Sequence, residues 1–300
     1  MRFSFWPGAS QPWSEILSAA QHAESVGFSG VWCSDHFMPF QGDDSGPVNE
    51  CWTTLAGLAA AVPRVRIGSI VAGNTYRHPA VLAKQAATVD QISGGRCVLG
   101  LGAGWQENEH VAYGLEYSTV KGRLDMLDEA CAVITSLLRN ERTTFAGAHY
   151  RLENAPLAPK PVNARLPLLI GGGGEQRTLR IAARWADEWN VWGDPALMAQ
   201  KGAVLDGHCA AIGRDPAEIE RSAVALLFLG DDEKWLAGMR ERDLGRPAII
   251  GTPAQVVEIV QRYVEVGVDE IIVPDFTLPD PARKRDTLSQ FMAEVAPAVA

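Results

Sequence analysis

Asp35 and His36 stand together at the end of an apolar run and are of the right types to handle a proton. An imidazole titrates near neutrality and can relay a proton or hydrogen-bond a cofactor ring, which is useful beside hydride chemistry. The same pair also suits plain packing at a strand end, and the residues alone leave both roles open. Gly100-Leu101-Gly102-Ala103-Gly104-Trp105 closes another apolar run, where glycines let backbone amides approach a ligand closely. Its third glycine comes one residue too early for the dinucleotide fingerprint GxGxxG, and a simple tight turn is the other reading. Gly171, Gly172, Gly173 and Gly174 precede a helical pattern that starts at Glu175. Free amides ahead of a helix N-terminus make a phosphate cradle. Glu175 is the contrary sign, because its charge repels a phosphate unless it turns away.

Other chemistries find little support. His22, His110, His149 and His208 sit in no metal-ligand spacing, and no HExxH, P-loop or GxSxG occurs. Aldolase chemistry needs a lysine at a strand end, whereas Lys84, Lys121 and Lys160 fall on helices or outer loops. No metal is expected.

The elements that must hold these residues alternate. Strands are expected near 2–6, 30–35, 65–72, 96–102, 166–170, 187–192, 222–229 and 270–274. Helices are expected near 14–26, 48–61, 79–93, 121–138, 175–185, 195–211, 253–266 and 284–295. Ser14 caps an apolar stripe through Leu17, Ala20 and Ala23 that Gly27 ends; Thr252-Pro253 opens a helix that Gly267 closes. Near-continuous apolar strands such as Ile67 to Val71 suit parallel pairing with both faces buried. Eight such units favour an α/β fold, a single (β/α)8 TIM barrel filling residues 1–300 as one domain. The long stretches 36–47, 103–120 and 230–247 follow strand C-termini, as insertions on the side where barrels build their sites. The segment 139–165 follows a helix and is expected on the opposite face or at a subunit contact.

Composition sets the class. With 300 residues, 47% hydrophobic, the chain buries about three quarters of its unfolded surface. A net charge of -9 argues against nucleic acid and anionic membranes, which need clustered Lys and Arg, and favours a small-molecule substrate. Five scattered cysteines without a CxxC pair fit reduced thiols. The first residues, RFSFW, enter a strand at once and no window reaches 18 apolar residues, so a soluble cytoplasmic protein is expected.

Taken together, several ordered motifs resemble the luciferase-like monooxygenase superfamily, and within it the branch that uses the deazaflavin coenzyme F420. They are DHF, ECWTTLAGLAA, IGSIVAGNTYRHPAVLAKQAATVDQISGGR, LGLGAGWQENE, IGGGGEQRTLRIAARWADEWN and GTPAQVVEIVQRYVEVGVDEIIV. The resemblance implies a ring lying across the barrel mouth, with Asp35 and His36 beside it as catalytic residues. It puts Asn74 facing the ring and a non-proline cis peptide at Ile70-Val71, in a bulge that Ala72 continues. Gly102, Ala103, Gly104 and Gly171 to Gly174 would surround the phosphate. Phe37, Trp105 and Trp192 would wall the substrate pocket. The glucose-6-phosphate dehydrogenases of this branch carry a proton-donating glutamate where this chain has Trp105, which weakens a sugar-phosphate substrate. Glu107, Glu109 or His36 is left as proton carrier. The implied reaction is hydride transfer between deazaflavin C5 and a small organic substrate. The alternatives are an FMN-dependent monooxygenase and a non-catalytic flavin- or deazaflavin-binding protein; a homodimer is the implied assembly.

Overall fold

The computed structural model describes residues 1–40, 43–278 and 280–299. Its first half runs β1 (Arg2–Trp6), α1 (Trp13–Val26), β2 (Gly30–Cys33), α2 (Cys51–Ala61), β3 (Arg66–Ser69), β4 (Ala72–Gly73), α3 (Pro79–Ser93), β5 (Cys97–Gly102), α4 (Glu107–Tyr113) and α5 (Val120–Arg139). A hairpin follows, β6 (Arg142–Ala146) with β7 (Arg151–Pro156). The rest is β8 (Leu168–Gly171), α6 (Thr178–Trp185), β9 (Glu188–Trp192), α7 (Pro195–Ala211), β10 (Glu220–Val224), β11 (Leu226–Leu229), α8 (Glu233–Arg240), β12 (Ala248–Gly251), α9 (Pro253–Glu265), β13 (Glu270–Pro274) and α10 (Pro281–Gln290).

The parallel order β3-β2-β1-β13-β10-β9-β8-β5 closes on itself, because β5 also pairs with β3 and β4. β3 and β4 are two halves of one strand, so eight strands make the TIM barrel that the alternation predicts. Both strand faces are buried, as in β5, where all six residues are. One face packs outward on the helices. The other fills the barrel with Trp6, Trp32, Ile70, Val98, Leu169, Val224 and Ile272. No helix among the described residues is long and apolar enough to cross a membrane.

Several local expectations are corrected. α1 is capped by Pro12 without a side-chain bond; Ser14 lies inside the helix, and the buried stripe is Ile16, Ala19, Ala20 and Ala23. The strand expected at 222–229 breaks at Ala225: β10 stays in the barrel, while β11 leaves it to pair with β12, a strand that the apolar pattern did not separate from its loop. Two stretches expected as loops each hold a short helix, α4 and α8. The segment 139–165 is rooted at the C-terminal ends of α3 and α5, on the face away from the rim, where Lys160 donates to the Leu137 carbonyl at 2.6 Å and Asn163 to Asp90 at 2.9 Å, but the hairpin β6–β7 climbs from there. Glu129 in mid α5 accepts the amides of Ala148, His149 and Tyr150 at 2.7, 2.9 and 3.1 Å, and the Tyr150 ring meets His78, the N-cap of α3, at 5.3 Å. The turn therefore lies along the barrel wall and reaches rim level.

Candidate active site

The rim begins at β2. Its chain runs out through Asp35, which is 1% exposed, and His36, which is part-exposed. The Asp35 carboxylate is fully engaged: Arg77 donates to it at 2.6 and 3.0 Å, and the Gly73 amide at 3.1 Å. Burial pushes this carboxyl up, and Arg77 and the amide act against that. With three donors on it, Asp35 fastens β2 to β4. Arg77 also reaches Glu50, the N-cap of α2, at 2.5 Å.

His36 has a different partner. Its Nδ1 lies 2.8 Å from Oε1 of Glu109 on α4, whose carboxylate also accepts the Phe37 amide at 2.7 Å and the Tyr76 hydroxyl. Glu109 is fully buried. Burial alone would raise its carboxyl, but the bonds from His36, Phe37 and Tyr76 outweigh it and hold the group below the ordinary carboxylate range. A charged carboxylate on Nδ1 fixes that nitrogen as N–H and leaves Nε2 for the cavity. Of the other expected proton carriers, Glu107 is exposed to solvent. α4 places Glu109 inward because its next residue, His110, anchors the helix to Thr75 at 2.6 Å.

The Phe37 ring packs edge-on against Tyr76 at 4.9 Å and tilted against Tyr113 at 5.3 Å, and like Trp105 and Trp192 it stands outside the lining of the cavity next to His36. Trp105 is 50% exposed and meets His36 edge-on at 5.4 Å and Phe40 at 4.6 Å. Trp192 packs on Trp6 at 5.8 Å with the Arg246 guanidinium 4.9 Å over its ring.

The strand next to the one that leads to His36, the third of the barrel, bulges. Gly68 pairs with Val98 and Ala72 with Leu101, so four steps on one strand face three on its neighbour. The Ile70-Val71 peptide within it is cis. Ile70 points into the barrel core, Ala72 outward to the helices, and Val71 lies part-exposed above the inner core. A Cβ on Gly102 would come within 2.7 Å of Val71, and one on Gly171 within 2.8 Å. These two glycines make room for a side chain of the protein itself, a reason the motifs alone did not show. Gly104 has φ +77, and its Cβ would strike Thr75 at 2.5 Å; Ala103 packs on the outer core.

The glycine run after β8 starts its helix three residues later than expected, at Thr178. Gly172, at φ +119, bonds Asn190. Among the described residues no acceptor meets the amides of Gly173 and Gly174. Lys201 lies beside Gly173 and pairs with Glu175 at 2.7 Å, so the charge that would repel a phosphate is turned to a lysine. Two unpartnered amides, a helix N-terminus and a lysine fit an anionic group. Asn74 is 2% exposed; among the described residues its Nδ2 makes no well-formed hydrogen bond, and its side chain lies beside the buried Tyr150 hydroxyl, which is likewise unsatisfied.

Next to His36 lies a cavity of about 400 Å³, whose lining includes Gln11, Ser34, Phe40, Gln106 and Asp275. Asp275 follows β13 and accepts the Gly8 amide at 2.9 Å and the Gln11 side chain at 2.8 Å. Sequence reasoning missed Arg77, Tyr76, Lys201 and Asp275. Tyr76, Arg77 and Asp275 had a signal, their place just past a barrel strand; Lys201, in mid helix, had none.

A family model described as luciferase-like monooxygenase matches residues 1–237. An F420-dependent hydroxymycolic acid dehydrogenase of Mycobacterium tuberculosis is 32% identical over 77% of this chain, which spans 62% of that protein's length. An F420-dependent glucose-6-phosphate dehydrogenase of Microbacterium testaceum is 34% identical over 87% of each chain. The fold superposes on an F420-dependent secondary alcohol dehydrogenase bound to an F420-acetone adduct with a TM-score of 0.86, at 22% identity, covering 100% of this chain and 99% of that one. Barrel, bulge and rim coincide with a family match over most of the sequence, and the chain belongs to the luciferase-like monooxygenase family.

Proposed function

We propose that the chain works as one domain that transfers hydride between coenzyme F420 and a small organic substrate. The observation that carries this reading is the His36–Glu109 pair beside the cavity, which handles a proton where a hydride changes hands. Support comes also from the F420-dependent activities named for its relatives. When bound, F420 supplies the hydride-carrying carbon. The chain supplies position. Gly173, Gly174 and Lys201 would hold the phosphate, Asn74 a ring carbonyl, and Val71 with Trp192 the apolar floor. Glu109 keeps the imidazole oriented, and Nε2 of His36 takes or returns the proton of a substrate oxygen. Trp105 screens that position from water.

Replacing His36 with Asn tests the assignment. Turnover of F420 with whichever alcohol or ketone the native protein accepts should fall by roughly 10²- to 10⁴-fold. F420 affinity, read by fluorescence titration, should stay within a few-fold. An unchanged rate would remove His36 from the chemistry, and equal loss of binding would make it a cofactor anchor.

The family's description as monooxygenase favours a second reading, an FMN enzyme that activates oxygen at the same rim. Oxygen consumption with reduced FMN and a candidate substrate distinguishes the two. A homodimer is the proposed assembly, supported by the exposed apolar residues Val111, Tyr113 and Val120. All five cysteines are buried and unpaired, in keeping with a cytoplasmic location.

A further inference from the structure

The cavity beside His36 has a charge pattern that bears on its occupant. Its apolar wall is Met38, Pro39, Phe40, Val48, Phe276 and Leu278. Its polar groups are neutral apart from His36 and Asp275, and no lysine or arginine lines it among the described residues. The ammonium of Lys284, which is 1% exposed, is paired with the lining carboxylate of Asp275 and does not itself line the cavity. It is held by Asp275 at 2.7 Å, Gln11 at 2.5 Å and Glu15 at 3.5 Å. Two carboxylates against one ammonium leave this corner with a net negative charge. Elsewhere on the rim, Arg77 is committed to Asp35 and Glu50, and Arg246 lies over Trp192.

We infer that the cavity takes an uncharged, mainly apolar alcohol or ketone and rejects phosphorylated and carboxylated substrates. A phosphate or carboxylate entering here loses hydration, meets Asp275 and finds no cation in exchange. An apolar body gains contact with Phe40, Phe276 and Leu278, while its single oxygen reaches His36. This selectivity rests on the proposed oxidoreductase reading for the role of His36. The charge pattern itself does not.

Saturation-transfer NMR on the purified chain, with and without F420, tests it using cyclohexanone and glucose 6-phosphate as probes. The expected result is a signal for cyclohexanone that Val48→Trp, by filling the cavity, removes, and an affinity for glucose 6-phosphate at least tenfold weaker. Asp275→Asn should strengthen glucose 6-phosphate binding by removing the repulsion. That variant leaves Lys284 without its main partner, so Phe40→Lys, at a position 54% exposed, supplies a second version by adding a cation. Glucose 6-phosphate binding as tightly as cyclohexanone and lost in Val48→Trp, hence seated in the cavity and not at Gly173, Gly174 and Lys201, overturns the inference, as does a native cavity that binds neither probe, or failure of both variants to gain affinity. Cyclohexanone bound in the cavity without any F420 binding would sustain the selectivity and sink the cofactor reading instead.

Discussion

Asp35 and Glu109 are both carboxylates buried at the rim, and their partners give them opposite tasks. Asp35 spends its oxygens on Arg77 and Gly73, so it fixes backbone. Glu109 faces His36 and keeps a charge beside a ring that must change protonation. Glu109→Gln removes that charge, and with it the fixed acceptor that orients the ring. The rate should drop roughly 10- to 100-fold, less than on losing His36, with F420 affinity and Tm near their native values. A rate loss matched by a large loss of Tm would make Glu109 a packing residue. Asp35 and His36 were legible as candidates from position, whereas Glu109 entered only through the family resemblance, beside Glu107. The roles of the three were not legible, because those depend on which distant side chain arrives: Arg77 and Tyr76 come from the next strand's exit, and Glu109 from a helix hidden in an expected loop.

At the scale of elements, the third strand is what the others are arranged around. Ser69 locks it to β5 by donating to the Gly100 carbonyl at 2.8 Å and accepting the Gly100 amide at 3.1 Å. Beyond it, the Asp35–Arg77 pair ties β2 to β4 and α2. Cutting that tie by Arg77→Met strands a buried carboxylate and should cost roughly 3 to 5 kcal/mol, read as urea unfolding. Asp35→Leu added to it should recover much of the loss, since the uncompensated charge is then gone; a double variant as unstable as the single one would contradict this. Strand and helix periodicity was clear where both faces are buried, as in β5 and β13. It was lost at β12 and α4, whose few residues carry too little pattern to stand out from loop composition. The glycines of 102 and 171 show the same limit: a sequence displays a small residue but not the Val71 side chain that needs the room.

Across the whole molecule, the end of the barrel away from the site is closed by charge. Arg2, Arg66, Glu188, Glu220 and Glu270 are the first residues of β1, β3, β9, β10 and β13, and they form one network. The Trp32 indole bonds Glu270 at 3.1 Å from within the barrel. Three carboxylates meet two guanidinium groups. Burial first, then Glu270 and Glu220 against the opposing pull of Arg66, push the Glu188 carboxyl up to about 7 from 4.5. The folded state therefore holds that proton more tightly than the unfolded chain. The stability it contributes is complete below about 4.5 and is lost as pH rises through about 7. Glu188→Gln, which mimics the protonated form, should raise Tm at pH 8 by roughly 2 to 4 °C and leave it unchanged at pH 5. A lower Tm at pH 8 would show that the ion pair with Arg66 dominates. The eightfold alternation made this closed barrel readable from sequence, while the network is a consequence of closure that no single strand announces. The opposite, open end carries the central claim, a rim built for F420. Fluorescence titration of the purified chain with F420 and with FMN tests it most directly: saturable F420 binding with FMN at least tenfold weaker is the predicted result, and tight FMN binding without F420 binding would contradict it.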